Sequence, residues 1–156
     1  MAMGLRQRVT TTIHLFVAGI RRRMTLGARV AMLDGDRVLL IKHTYVPDWH
    51  FPGGGIEPGE TAAEAGTREM LEETGFEATG PLTLFGFYHN LNEATVRDHV
   101  AVYLCRDFRE VRAFRPNHEI AAIGWFGPGD LPADVDSGTA RRVAEILSAA
   151  EPAHRW

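Results

Sequence analysis

The segment GGGIEPGETAAEAGTREMLEETGF, Gly53 to Phe76, constrains this chain more than any other stretch. Three glycines lead into a run that holds six glutamates, one arginine and no lysine. Read as a helix at about 100° per residue, it puts Glu69, Glu72 and Glu73 at i, i+3 and i+4, with all three carboxylates leaving one face. Like charges at that spacing repel, and an ordinary surface helix interleaves lysines among them. A solvated acidic helix behind a flexible loop is the plain interpretation. A site for a hard divalent cation, Mg²⁺ or Mn²⁺, is the sharper one, because such ions take oxygen ligands and neutralise clustered carboxylates. Arg68 precedes Glu72 by four residues and can hold that carboxylate in place. The glycines before it let the backbone approach a phosphate or a metal.

The flanks are legible as alternating strands and one further helix. LGARVAMLDGDRVLLIKH reads as a hairpin turning at Asp34-Gly35, with β-branched Val30, Val38 and Ile41. TYVPDWHFPGGG reads as a loop from its prolines and glycines. Thr61 with Glu64 three residues on forms a capping box, Gly75 ends the helix, and Ala63, Gly66 and Met70 give it a narrow small-residue face. Residues 82–89, 98–105 and 119–126 read as strands and 137–150 as a closing helix. Hairpins together with interspersed helices imply an α/β domain whose sheet is not all parallel.

A chain of 156 residues supports one domain with a single core, and a net charge of −3 gives no global field for nucleic acid. Cys105 is the single cysteine, so no internal disulfide forms, which fits a reducing, cytoplasmic setting. Its place in an apolar alternation marks it as a buried small side chain. Residues 1–24 form a separate basic extension, with Arg6, Arg8, Arg21, Arg22 and Arg23 and no acid, ahead of a domain over residues 25–156. Ile13–Ile20 is too short to span a membrane, which needs roughly 20 apolar residues. An amphipathic helix docking on the domain or, in a homodimer, on a second subunit is the expectation there.

The spacing of the acidic segment carries a resemblance. Gly54, five residues, Glu60, seven residues, then Arg68-Glu69-Met70-Leu71-Glu72-Glu73-Thr74-Gly75-Phe76 resembles the Nudix box at each of its nine fixed positions. With WHFPGG before it and a glutamate ahead of the segment ending in Trp125-Phe126 after it, the likeness extends over residues 25–150. It implies an α/β/α sandwich with a mixed β-sheet, and hydrolysis of a nucleoside diphosphate linked to another moiety, with Mg²⁺ or Mn²⁺ as cofactor. By motif position it assigns metal binding to Glu72 and Glu73, and a metal ligand or general base to Glu69. Arg68 orients those glutamates, and Glu60 stands behind them. The carbonyl of Gly53 and the carboxylate of Glu119 complete the metal set. Trp49, Phe51, Gly54, Tyr45, Tyr88 and Asn90 are candidate substrate contacts, each with a packing role as its plain alternative. Glu64 occupies a free position of the box, and His118 is more ordinary as a solvated loop residue than as a base.

For the substrate the same resemblance excludes little. Where a downstream proline would suggest ADP-ribose stands Leu91, and where a tyrosine would suggest diadenosine polyphosphates stand Asn92 and Glu93. The SQPWPFPxS array of NADH pyrophosphatases is absent. A nucleoside di- or triphosphate or a nucleotide sugar remains. The competing classes are a binding or regulatory module without turnover and an isopentenyl-type isomerase, and an intact box argues against both.

Overall fold

The structure, a computed structural model, describes residues 24–91 and 97–156. The basic extension, Met24 apart, therefore lies outside the described residues, together with its expected helix. The Asp34-Gly35 hairpin forms: β1 (Thr25–Asp34) and β2 (Arg37–His43) run antiparallel, Asp34 pairs with Arg37, and Gly35 turns the chain at φ 63°.

Residues 44–55, expected as a loop, instead contribute β3 (Trp49–His50), which pairs with β2, and β4 (Gly53–Gly55), which pairs antiparallel with Gly27–Arg29 of β1. The reason is close approach. Gly53 adopts φ 145°, and a Cβ on it would stand 2.1 Å from the Ala28 carbonyl oxygen. The glycines thus let a strand lie where side chains could not.

Helix α1 (Ala62–Thr74) follows, capped by Thr61 and Glu64 in the expected reciprocal box and ended at Gly75, whose N–H donates to the Leu71 carbonyl. After β5 (Phe76–Ala78) come β6 (Thr83–Asn90) and β7 (Asp98–Cys105), an antiparallel pair. β8 (Phe108–Glu110) pairs with β5 as a small second sheet that sequence periodicity did not reveal. β9 (Ile120–Phe126) joins β2, and α2 (Ser137–Leu147) closes the order.

In the main sheet the path is β3-β2-β1-β7-β6, with β4 on β1 and β9 on β2. β1 and β7 are parallel and in continuous register from Thr25↔Asp98 to Met32↔Cys105. The sheet is therefore mixed, as expected. Period-two alternation divides its side chains between two cores. Val30, Met32, Leu39 and Ile41 cluster with Met70 of α1. Ala31, Leu33, Val38 and Leu40 cluster with Val143 and Ile146 of α2. A helix on each face of a mixed sheet makes the α/β/α sandwich.

Burial on α1 corrects one expectation. The face that packs is Ala65, Gly66, Met70, Glu73 and Thr74, with Ala63 only partly covered. Gly66 does mark close packing, since a Cβ there would meet Val30 at 3.0 Å. Cys105 is buried, and burial raises its thiol to about 11, so it stays protonated and inert. Trp125 stacks on Phe108 and meets Phe76 edge-on, a packing role. Among the described residues no helix is long and apolar enough to cross a membrane.

Candidate active site

A cleft of about 900 Å³ opens where β4, β1 and the last turns of α1 meet, and it runs along the sheet edge to the start of α2. That volume lies in the range of small-molecule sites. At one end its walls include Glu69, Glu73, Glu119, Gly53, Arg29 and His43.

Among the described residues Glu73 is the deepest acid, 5% exposed. Its Oε2 accepts the Gly53 N–H at 2.7 Å, and its Oε1 lies 3.8 Å from His43 Nε2. Burial pushes its carboxyl up to about 8, with Glu69 and Glu119 adding like charge, against the Gly53 N–H and Arg29, which pull the other way. Arg29 also donates from Nη1 to the Gly53 carbonyl oxygen. His43 is held below its ordinary value by burial first, then by Arg29 and His50.

Arg68 works differently from the expectation that it would hold Glu72. Its Nε and Nη2 donate to the two oxygens of Glu60 at 2.9 and 3.0 Å, and Nη1 donates to Glu69 Oε1 at 2.7 Å. Glu72 is the loosest partner at 3.5 Å. Arg68 and then the Glu57 N–H hold the Glu60 carboxyl below the usual range. Glu69 in turn sits against Gly54, where a Cβ would meet its Oε1 at 2.3 Å. The glycine therefore makes room for a carboxylate pinned by Arg68 and turned to the cleft.

Glu72 does not share that face. Its side chain is 60% exposed, and it lines a separate depression of about 520 Å³ with Arg112, Arg115 and Asn117, which Glu73 also borders. Helical geometry explains the division. Glu73 lies about 40° around the axis from Glu69, whereas Glu72 lies about 60° to the other side, and the narrow cleft takes only the first two. Glu64 serves the cap alone, as its free position in the box implies.

The expected substrate contacts divide as well. Tyr45 (66% exposed) and Asn90 line the cleft. Phe51 and Tyr88 are fully buried and do not reach it, while Trp49 packs edge-on against Phe126 at 5.0 Å. Sequence reasoning missed Arg29, His43 and Asp98. Arg29 left one signal, a lone charge in an otherwise uncharged strand from Thr25 to Leu33.

Carboxylates and a carbonyl are the oxygen donors a hard cation takes, and the like charges around Glu73 are a deficit that such an ion would relieve. In kind, the set fits a divalent ion. Among the described residues no three His, Cys, Asp or Glu side chains are gathered tightly enough to hold a metal as they stand.

Known proteins of similar sequence and fold place the chain in a family. The family model described as NUDIX domain matches residues 23–146. A Bacillus subtilis (strain 168) protein named "Putative 8-oxo-dGTP diphosphatase" is 32% identical over 128 residues, 81% of this chain and 83% of that one. A MutT-like protein of Streptomyces ambofaciens is 31% identical over 126 residues, 80% of this chain and 77% of its own. The crystal structure of a MutT NUDIX hydrolase from Burkholderia pseudomallei superposes with a TM-score of 0.70 at 28% identity, covering 80% of this chain and 98% of that one.

Proposed function

This chain belongs to the Nudix hydrolases, enzymes that act on pyrophosphate bonds with divalent metal ions, and we propose that it is a Mg²⁺- or Mn²⁺-dependent nucleotide pyrophosphohydrolase whose chemistry is carried by Glu69, Glu73 and Glu119 around Gly53. The substrate is a nucleoside triphosphate, an oxidised one included, or a nucleotide sugar from a cytoplasmic pool. The observation that carries this is the convergence of three carboxylates and a strand of glycines on one nucleotide-sized cleft.

A bound divalent ion supplies offset of the phosphate charge and a more acidic water. The residues of the chain do the rest. Glu73 has one oxygen committed to Gly53 and presents the other to the cleft. Glu69 has Oε1 held by Arg68, which leaves Oε2 to bind the ion or to take a proton from the attacking water. Glu60 takes no part in the chemistry and fixes Arg68. Glu119 reaches in from the turn before β9, and Arg29 opposes negative charge at the Gly53 carbonyl. Glu72 stands on the outer edge and joins the ion only if its side chain swings across. Tyr45, Asn90 and Gly54 line the path of the substrate, and residues 25–156 form the catalytic domain.

The test is a screen of nucleotides with Mg²⁺ or Mn²⁺, reading released phosphate and pyrophosphate, with EDTA as control. Metal-dependent release from at least one nucleotide is expected. Full activity in EDTA, or none on any nucleotide with either ion, defeats the proposal.

A further inference from the structure

The far end of the same cleft is lined by Asn90, Asp98, Asp136, Gly138, Arg141 and Trp156. Strand register sets its distance from the carboxylates. Arg29 pairs with Gly53, and Thr25 pairs with Asp98 on the same strand, four residues away. At about 3.3 Å per residue the two ends stand ~13 Å apart, which leaves room for a phosphate chain and a sugar.

Trp156 is built into this end. Its N–H donates to the His89 carbonyl at 3.1 Å, continuing a parallel bridge between His89 and Arg155, so the segment extends the edge of β6. Its main-chain oxygen accepts from Arg141 Nη2 at 2.8 Å, and the neighbouring Arg142 donates to the Arg155 carbonyl at 2.9 Å. Two successive arginines of α2 thus clamp the segment. The indole meets buried Tyr88 edge-on at 5.8 Å and rests on Gly138, where a Cβ would stand 2.1 Å from its Nε1. The Arg142 guanidinium lies 5.8 Å from the centre of the ring, and the residue, half-buried as a whole, lines the cleft. Beside it Asn90 donates from its amide nitrogen to Asp98 Oδ2 at 2.8 Å, and Asp98 also accepts from Thr25, so the amide is oriented by a carboxylate that is itself held.

We propose that Trp156 is a specificity-determining residue: the plane on which the nucleobase of the substrate packs, with the oriented Asn90 amide at the edge of that base. The inference rests on the pyrophosphohydrolase reading and narrows its substrates to compounds that carry a base. An indole fixed on several sides offers a stacking surface at small ordering cost, and every base has a π-face to meet it.

The experiment compares GTP with ribose 5-triphosphate, which has the phosphates and sugar but no base. Wild type, Trp156→Ala, Trp156→Leu and Trp156→Phe are titrated calorimetrically without metal and assayed for turnover with Mg²⁺. A thermal melt shows which variants are folded, and Leu keeps the apolar contact with Tyr88 should Ala fail to fold. Loss of stacking is expected to weaken GTP binding and raise its KM about tenfold in Ala or Leu, with Phe within about twofold of wild type and kcat little changed. Ribose 5-triphosphate is expected to respond equally in all four proteins. Equal weakening of both ligands, or unchanged GTP binding in a folded Ala or Leu variant, overturns the inference. Base-dependent binding of GTP together with no turnover of any nucleotide in the Mg²⁺ and Mn²⁺ screen above supports Trp156 and defeats the hydrolase reading instead, so the two failures are distinguishable.

Discussion

Two groups of charged side chains lie on opposite faces of the sheet, and they settle the cost of burial in opposite ways. Under α2, Arg142 is 1% exposed and fully engaged. It forks onto both oxygens of Glu145 at 2.7 Å, donates to the Arg155 carbonyl, and lies 4.5 Å over the Tyr88 ring. Under α1, Glu73 is comparably covered, but its Gly53 N–H and the Arg29 charge do not offset burial and two like-charged neighbours. Removing a charge from water costs several kcal/mol unless partners return it. The first group finds those partners within the chain. The second is left short of positive charge, and that shortage is what makes it a site. Breaking the first group should therefore damage stability, and breaking the second should damage activity.

The largest effect is expected from Arg142→Ala, which strands Glu145 and frees the segment at residues 154–156. Loss of one partner of a buried pair costs about 3–5 kcal/mol, to be read from denaturant melts. If the loss were under about 1 kcal/mol, the pair would rank with exposed surface bridges and the contrast would fail. Glu73→Gln and Glu69→Gln come next, each with at least ~10²-fold lower turnover, the scale for a positioned acid–base or electrostatic group. Neither should lower the melting temperature of the metal-free protein. A variant inactive only because it unfolds would place Glu73 with Arg142 rather than against it.

The third effect sharpens the contrast by pH. The Glu73 carboxyl is raised from 4.5 to about 8 in the fold, so between those values the native state holds a proton that the unfolded chain has released. Metal-free stability should therefore fall as pH rises from 4.5 towards 8, by up to about 1.4 kcal/mol per pH unit for this one group. Mg²⁺ should release close to one proton per site on binding near pH 7, measurable as buffer-dependent heat. Glu73→Gln should flatten the pH slope, and a slope unchanged in that variant would assign the effect elsewhere. The smallest effect is expected from Glu64→Gln: turnover within about twofold, and at most about 1 kcal/mol from the weakened cap.

Local features were the legible ones. The hairpin at Gly35, the Thr61 cap and the stop at Gly75 each depend on a few neighbouring residues, and each formed where the sequence put it. The carboxylate face was only half legible. Spacing located the three glutamates together, but a helix spreads Glu72 and Glu73 about 100° apart, and only the surrounding strands decide which side opens to the cleft. Gly53–Gly55 was misjudged because glycine-rich segments usually turn, whereas here the missing side chains admit a strand and a carboxylate. Arg29, Asp98 and Trp156 come to line one cleft through the parallel pairing of β1 with β7 and the bridge from Arg155 to β6. Contacts that distant along the chain leave no periodicity to read.

β1 is paired on both edges at Ala28 and Arg29, with β4 on one side and β7 on the other, and Val30 adds a bond to the Pro52 carbonyl. In the language of amide exchange, those protons should be among the last to swap with solvent, because each donates to a neighbour in the interior of the sheet and freeing the whole set requires both neighbours to leave. A molecule that has let go of α2, or of the edge at β6, would still hold the strand behind Gly53. The floor of the carboxylate cleft thus belongs to a slow-opening unit of the protein, while the wall that holds Trp156 belongs to a faster one.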